Sequence, residues 1–429
     1  MSPVIARPLT LEGDVESFYV HERYVLTFSK TSADVWRAGS ELGHLNHVTG
    51  FSEPVPSPPF ERFPIVDLER NLVIVPDHGP QNGPPLLWVF SLADGMLIHK
   101  LELYGALAQT RLQYADGKVL VAVEENDGRA PPNGRTTILL CDVAGDGGLL
   151  GGVHLPARLK AREEKRLNTV GGVLAPVQLR PNGDVIATSS EAWHTEMEVL
   201  RWRGADVLDF PEPDASFELR LSLEGGDRIH PTCTAPLDEN SFIMAVAEAV
   251  SDVLQVGEGC QTAIHAVDAE AMTIRWSAEC VGGRVSSVHY VAAVDAIVAF
   301  GEHDYGESDG DDPFAYVVVL DPAMGTRRRM ETIKHPVQGT PLRYCGLGKK
   351  ADGFAIIIVF RDGLTYAVDL RQFLEHGFPE DGTLTPASTS LEKGWEVEEV
   401  GVAGQTVILS VCDSTMNGSL HIRYFELNQ

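Results

Sequence analysis

Imidazoles and carboxylates stand at matching places along this chain, and such pairs are what general acid–base chemistry uses. His230-Pro231 and His335-Pro336 each lie six residues ahead of a second proline, Pro236 and Pro341, so the two imidazoles hold equivalent positions in two repeats. Carboxylates recur where an apolar run gives out. They are Asp77, Glu124-Glu125, Glu191, Glu248 and Glu302, the last followed by His303 and Asp304. With His230, His335 and His303 as acid–base or ligand groups and Glu125, Glu191, Glu248 and Glu302 as partners, one reading is an enzyme. It would be a hydrolase, lyase or isomerase acting on a small molecule. The same stretches carry Trp193-His194 and Asp304-Tyr305, and Arg228 and Arg284 are expected to reach the same face. Aromatics with charged neighbours are the anchors of protein and peptide surfaces, which is the other reading. An acidic chain also places Glu in its loops with no site at all.

The elements that position these residues form a weak repeat. A hydrophobic strand ending near an Asp-like residue and a turn recurs eight times, about every 55 residues, a period that signals a propeller. The marked strands are Asp34–Arg37, Leu87–Ser91, Ile138–Asp142, Glu198–Arg201, Ile264–Asp268, Val317–Asp321, Thr365–Asp369 and Ile422–Glu426. Asp and Ser at such ends hydrogen-bond the turn backbone.

A second repeated line contains Pro64, Pro176, Pro236 and Pro341. Each leads to a turn and an apolar run: Leu72–Val75, Asp184–Ala187, Phe242–Ala245 and Phe354–Val359. Proline cannot donate to a sheet ladder, so these residues are expected near the start of each blade's innermost strand. The carboxylates then fall between second and third strands, and the His-Pro pairs in the loops leading into a blade.

The expectation is all-β: a single β-propeller over residues 1–429 with eight four-stranded blades, seven being the alternative. Residues 395–429 form the last blade, and residues 1–13 supply a closing strand that joins it and removes an exposed sheet edge. The 41 Gly and 26 Pro punctuate short apolar runs, and only 157–166 and 370–376 read as short helices.

Lys and Arg total 34 against 61 Asp and Glu, a net charge of −27. That argues against nonspecific nucleic-acid binding and docking on anionic lipid, and favours a basic partner if there is one. The basic runs 160–166 and 327–329 are expected in loops or turns. Six cysteines show no Cys-x-x-Cys spacing, and several sit in apolar runs, so no metal or redox role is expected of them. His44-x-x-His47 has a metal-like spacing on an expected strand, and the acidic stretch 304–312 lacks the spacing of a calcium loop. Neither is assigned a metal, and no cofactor motif stands out: no phosphate loop, Gly-x-Ser-x-Gly elbow or His-Glu-x-x-His. No secretory signal and no apolar run near the ~20 residues of a membrane span are read, so a cytoplasmic protein is expected, with the nucleus as the alternative.

The strand ends Val35-Trp36, Leu140-Cys141-Asp142, Val319-Leu320-Asp321 and Val368-Asp369 resemble those of a divergent WD-repeat propeller. The texture is also similar to the propellers of fungal F-box-associated proteins. The paired Gly-His and Trp-Asp of a standard WD repeat are absent. The resemblance implies a non-catalytic platform that binds a protein or peptide on one face. An enzyme with a His/Glu site at the mouth of a central channel is the alternative.

Overall fold

In a computed structural model the described residues are 7–9, 17–21, 24–29, 32–38, 42–49, 64–77, 84–103, 106–107, 112–125, 135–154, 173–180, 182–190, 196–204, 212–220, 228–249, 261–280, 283–303, 314–333, 342–378, 386–413 and 421–427. They form eight antiparallel sheets.

The first strand, β1 (Arg7–Leu9), is set apart from the sheet that follows it. Blade 1 is β2 (Ser17–His21), β3 (Tyr24–Phe28), β4 (Ser32–Arg37) and β5 (Gly43–Thr49). Blade 2 is β6 (Ile65–Asp67), β7 (Leu72–Asp77), β8 (Leu86–Ser91) and β9 (Leu97–Glu102). Blade 3 holds β10 (Ala106–Leu107), β11 (Gln113–Ala115), β12 (Lys118–Glu125), β13 (Arg135–Asp142) and β14 (Gly148–His154). Its innermost place is shared by two short strands, β10 and β11, both paired to β12. Blade 4 is β15 (Val173–Leu179), β16 (Val185–Ser190), β17 (Glu196–Trp202) and β18 (Ala215–Arg220).

Blade 5 is β19 (Arg228–Asp238), β20 (Ser241–Ala249), β21 (Gln261–Asp268) and β22 (Thr273–Cys280). Blade 6 is β23 (Arg284–Val291), β24 (Ala296–His303), β25 (Phe314–Leu320) and β26 (Arg327–Ile333). Blade 7 is β27 (Leu342–Lys350), β28 (Gly353–Phe360), β29 (Thr365–Asp369) and β30 (Pro386–Ser388), with helix α1 (Leu370–His376) between the last two. Blade 8 is β31 (Trp395–Ala403), β32 (Thr406–Asp413) and β33 (His421–Glu426), completed by β1.

The fold class is the eight-bladed β-propeller expected from the repeat. All eight marked strands are third strands, and Arg7, Pro8 and Leu9 pair with Tyr424, Arg423 and Ile422, the pairing expected of a first strand that enters the last blade. Contacts group the chain into two units. One (Met1–Ser29, Ala33–Leu45 and Pro231–Gln429) carries most of blade 1 and of blades 5–8, and the other (Lys30–Ser32 and Asn46–His230) carries Asn46–Thr49 of β5, blades 2–4 and Arg228–His230 of β19.

Within each unit the core lies between the faces of consecutive blades. In the second unit Ile74, Leu87 and Val89 of blade 2 pack on Val121, Leu139 and Cys141 of blade 3, whose other face meets Ala187, Leu200 and Trp202 of blade 4. In the first unit Val298, Phe300 and Val317 of blade 6 meet Ile356 and Ile358 of blade 7, and Ile408 and Ile422 of blade 8 meet Val25 and Trp36 of blade 1. Central strands are covered on both faces, so β3 and β7 are buried throughout and read as unbroken apolar runs. Outer strands are half solvated, and β9 and β18 alternate instead.

Aspartates that end third strands cap the turns that follow. Asp142 Oδ1 accepts from the backbone N–H groups of Ala144 and Gly145 at 3.1 and 3.0 Å. Asp268 accepts from Glu270 and Ala271, and Asp321 from Ala323 and Met324. Asp369 does the same for Arg371 and Gln372 and thereby starts α1, which ends at Gly377 with φ 77°.

Two expectations about position are corrected. Pro64 precedes β6 as expected, but Pro176 and Pro236 lie inside β15 and β19. An innermost strand has a neighbour on one side only, so its outward N–H is dispensable, and at Pro176 the pairing register also shifts. Pro341 lies outside the described residues. Residues 327–329 are not in a loop but open the outer strand β26, where Arg328 reaches Asp321 and Arg329 reaches Glu331. An edge strand accommodates arginines because they can pair sideways along it. The run 157–166 lies outside the described residues, and α1 is the short helix expected at 370–376.

Candidate functional site

Each blade has one end where its second strand finishes and its innermost strand begins. Direct cross-strand pairs mark it: Val173 with Ser190, Arg284 with Glu302, Leu342 with Phe360 and Trp395 with Asp413. Most of the carboxylates singled out in the sequence are at this end, within the strands rather than in the loops beyond them. In the second unit Asp77 is the last residue of β7 and Glu125 the last of β12. In the first unit Glu248 is next to last in β20, and Glu302 and His303 finish β24. Arg228 and Arg284 are the first residues of β19 and β23, equivalent places in blades 5 and 6.

The loop expected around His230-Pro231 is not there. Both residues lie in β19, because this innermost strand starts two residues ahead of them and its free edge accepts a proline. His335, Glu191, Trp193, His194, Asp304 and Tyr305 lie outside the described residues.

Side-chain chemistry at this end is varied. The Asp77 carboxylate is buried and accepts from Trp88 Nε1 at 3.2 Å, and Lys100 Nζ lies 4.6 Å from the centre of that indole ring. Trp88 thus ties the end of β7 to β8 and holds the Lys100 ammonium by a cation–π contact. Glu248 is buried, only 7 % exposed, whereas Arg284 is exposed. His265 is the described imidazole on which Glu248 acts. Burial pushes it down to about 4, against the opposing charge of Glu248, and its Nδ1 lies 2.8 Å from Ser277 Oγ. It is therefore a neutral, structural histidine at ordinary pH.

Blades 7 and 8 add a polar group that sequence reasoning missed. Arg361, in the turn after β28, donates from Nε to Glu396 Oε2 at 2.7 Å and pairs through Nη2 at 2.5 Å. The Cys412 thiol donates to Glu398 Oε1 at 3.0 Å, and burial followed by that bond pushes it up to about 11. The alternation Glu396-Val397-Glu398 at the start of β31 is the signal that could have shown it.

His44 is used inside blade 1: its Nε2 lies 2.9 Å from Asp34 Oδ1, and its ring meets Trp36 edge-on at 4.7 Å. Among the described residues no three His, Cys, Asp or Glu side chains converge as metal ligands, and no helix is long and apolar enough to cross a membrane.

Sheet order, capped third-strand ends and the pairing of first strand with last blade together define a divergent WD-repeat-like propeller. No family model matches the chain, and no curated protein matches it. Solved structures do. The Dos1 propeller aligns with 98% of this chain and 94% of its own at 10% identity and a TM-score of 0.52. BamB from Moraxella catarrhalis aligns over 98% and 99% at 12% identity and a TM-score of 0.49. The C-terminal WD40 domain of Sif2 aligns over 100% of both chains at 9% identity and 0.46. At these identities the likeness is one of fold.

Proposed function

We propose that the chain is a non-catalytic interaction propeller that binds a protein or peptide at the blade ends where second strands finish. The observation that supports this most is the placing of acidic residues there, blade after blade. Within the second unit they are Glu124 and Glu125 of β12, and within the first unit Glu302 of β24, while Asp77 and Glu248 stand at the same strand ends but are buried. Glu124-Glu125 and Glu302 belong to different blades, each a contact point within its own unit. A nucleophile with its base would instead sit in one tight group. With a net charge of −27, such a surface suits a basic partner.

The test is quantitative capture from the native cell, comparing the wild-type protein with Glu125→Gln/Glu302→Gln. The reading expects one stoichiometric partner whose recovery falls in the double variant. It fails if no partner is recovered and the protein instead turns over a small molecule in a reaction abolished by His230→Ala and His335→Ala.

A further inference from the structure

Blades 2, 3, 5 and 6 share a bulge at the start of the fourth strand. The register skips one outer-strand residue in each: Ile98, Leu150, Arg275 and Arg328. A bulge of this kind re-aims the extra side chain. In blades 5 and 6 that side chain closes its own blade. Arg275 reaches Asp268 at 3.2 Å and Asp238 at 3.0 Å, and Arg328 reaches Asp321 at 2.6 Å and the Asp295 carbonyl at 2.7 Å.

In blades 2 and 3 the same place holds an aliphatic residue that faces water. Ile98 is 44% exposed beside Leu97 and Met96, and Leu150 is 38% exposed beside Leu149. Seven large hydrophobic side chains are exposed among the described residues, and these are five of them, so the exposure is concentrated rather than scattered. The two segments are copies: Asp94-Gly95-Met96-Leu97-Ile98 and Asp146-Gly147-Gly148-Leu149-Leu150.

They are also fixed to one another. His99 of β9 bonds the Gly145 carbonyl at 3.0 Å, and Gly147 packs against the His99 ring. Exposed Asp94 and Asp146 head the two segments, and exposed Lys100 and Glu102 lie further along β9, the Lys100 ammonium being held over the Trp88 ring. β9 and β14 are the outermost strands of their sheets.

We propose that the outer edges of blades 2 and 3 form a docking strip for an extended segment of a partner protein, aliphatic and carrying Lys or Arg. The proposal rests on the reading of the chain as an interaction propeller and adds a second surface to it. Aliphatic side chains would cover the two exposed pairs, cations would meet the carboxylates that head them, and an outer strand offers its free edge to an extended backbone. A second copy of the chain is the poorer occupant, because it would bring the same carboxylates against themselves.

The full-length protein titrated with two labelled octapeptides, alternating Val-Lys and alternating Val-Glu, tests this by fluorescence anisotropy. The Val-Lys peptide should saturate. Ile98→Ser/Leu150→Ser, or independently Leu97→Gln/Leu149→Gln, should weaken it about tenfold or more. Asp94→Asn/Asp146→Asn should weaken it less and flatten its salt dependence, while Glu125→Gln/Glu302→Gln should leave it unchanged. Asp94, Leu97, Ile98, Asp146, Leu149 and Leu150 are exposed, and an unchanged melting temperature confirms folding of every variant. Lack of saturable Val-Lys binding, equal binding of Val-Glu, or indifference to the aliphatic substitutions overturns the strip. So does a sedimentation mass of two copies that reverts in Ile98→Ser/Leu150→Ser. A native partner lost with Glu125→Gln/Glu302→Gln but retained with Ile98→Ser/Leu150→Ser would remove the strip and leave the blade-end surface standing.

Discussion

Trp276 of β22 donates its indole N–H to the carbonyl of Pro322, 46 residues further on, at 3.0 Å. The acceptor lies in the turn between the third and fourth strands of the next blade. The same step recurs at the same separation with other donors. Asn46 reaches the Leu92 carbonyl at 2.7 Å within the second unit, as does His99 the Gly145 carbonyl. In the first unit Arg329 reaches the Glu375 carbonyl at 3.3 Å. Outer strands bury little apolar surface, so these latches fix the spacing between blades where the core no longer does.

Trp276→Phe removes the latch donor and keeps most of the ring. It should cost about 1 kcal/mol, the usual net worth of one hydrogen bond. Urea unfolding would show it as a lower midpoint with little change in slope.

Gly147 tests the same latch from the turn side. Its φ is +72°, and a Cβ there would meet His99 Nδ1 at 2.5 Å. Gly147→Ala should cost about 1–2 kcal/mol for the left-handed backbone, with a further steric cost. Combining it with His99→Ala should recover the steric part only, so the two substitutions should not add.

His265 sets a pH dependence. Its folded value, pushed down by burial, is about 4, below the ordinary 6.5. Unfolded chains then bind more protons between those values, so its contribution is whole above pH 6.5 and drains away as pH falls towards 4. From pH 7 to pH 5 the wild-type protein should lose about 2 kcal/mol that His265→Gln does not lose. Denaturant midpoints at the two pH values give the comparison.

Asp67 governs a lower range. Burial raises its carboxyl, but the Tyr114 hydroxyl, the Arg70 guanidinium and the backbone N–H groups of Arg70 and Glu69 outweigh that and hold it below the usual 3.8. Its stabilisation is therefore present above about pH 4 and lost as pH falls through the depressed value. Asp67→Asn should cost about 1–3 kcal/mol at pH 7. The gap from wild type should narrow at pH 3.

The repeat was legible because covered central strands leave long apolar runs and because Asp142, Asp268, Asp321 and Asp369 each do the same turn-capping work. The placing of Pro176, Pro236 and His230-Pro231 was not, since an innermost strand tolerates residues that a paired strand rejects. The latches were invisible for another reason: Asn46, His99, Trp276 and Arg329 share a geometry but no residue type. The bulge position hides in the same way, holding an arginine that closes its blade in two repeats and an aliphatic residue in two others. Of the candidate site, sequence spacing located the strand ends. It could not tell that Glu248 is buried or that Arg361 and Glu396 are paired.

Hydrogen exchange of the full-length protein, free and bound to the partner recovered from its native cell, tests the interaction reading most directly. Protection on binding is expected at the ends of β12 and β24, around Glu125 and Glu302, and along β9 and β14 beside Ile98 and Leu150. Exchange that is the same in both states over all four segments, or protection confined to the capped turns after Asp268 and Asp321, would contradict it.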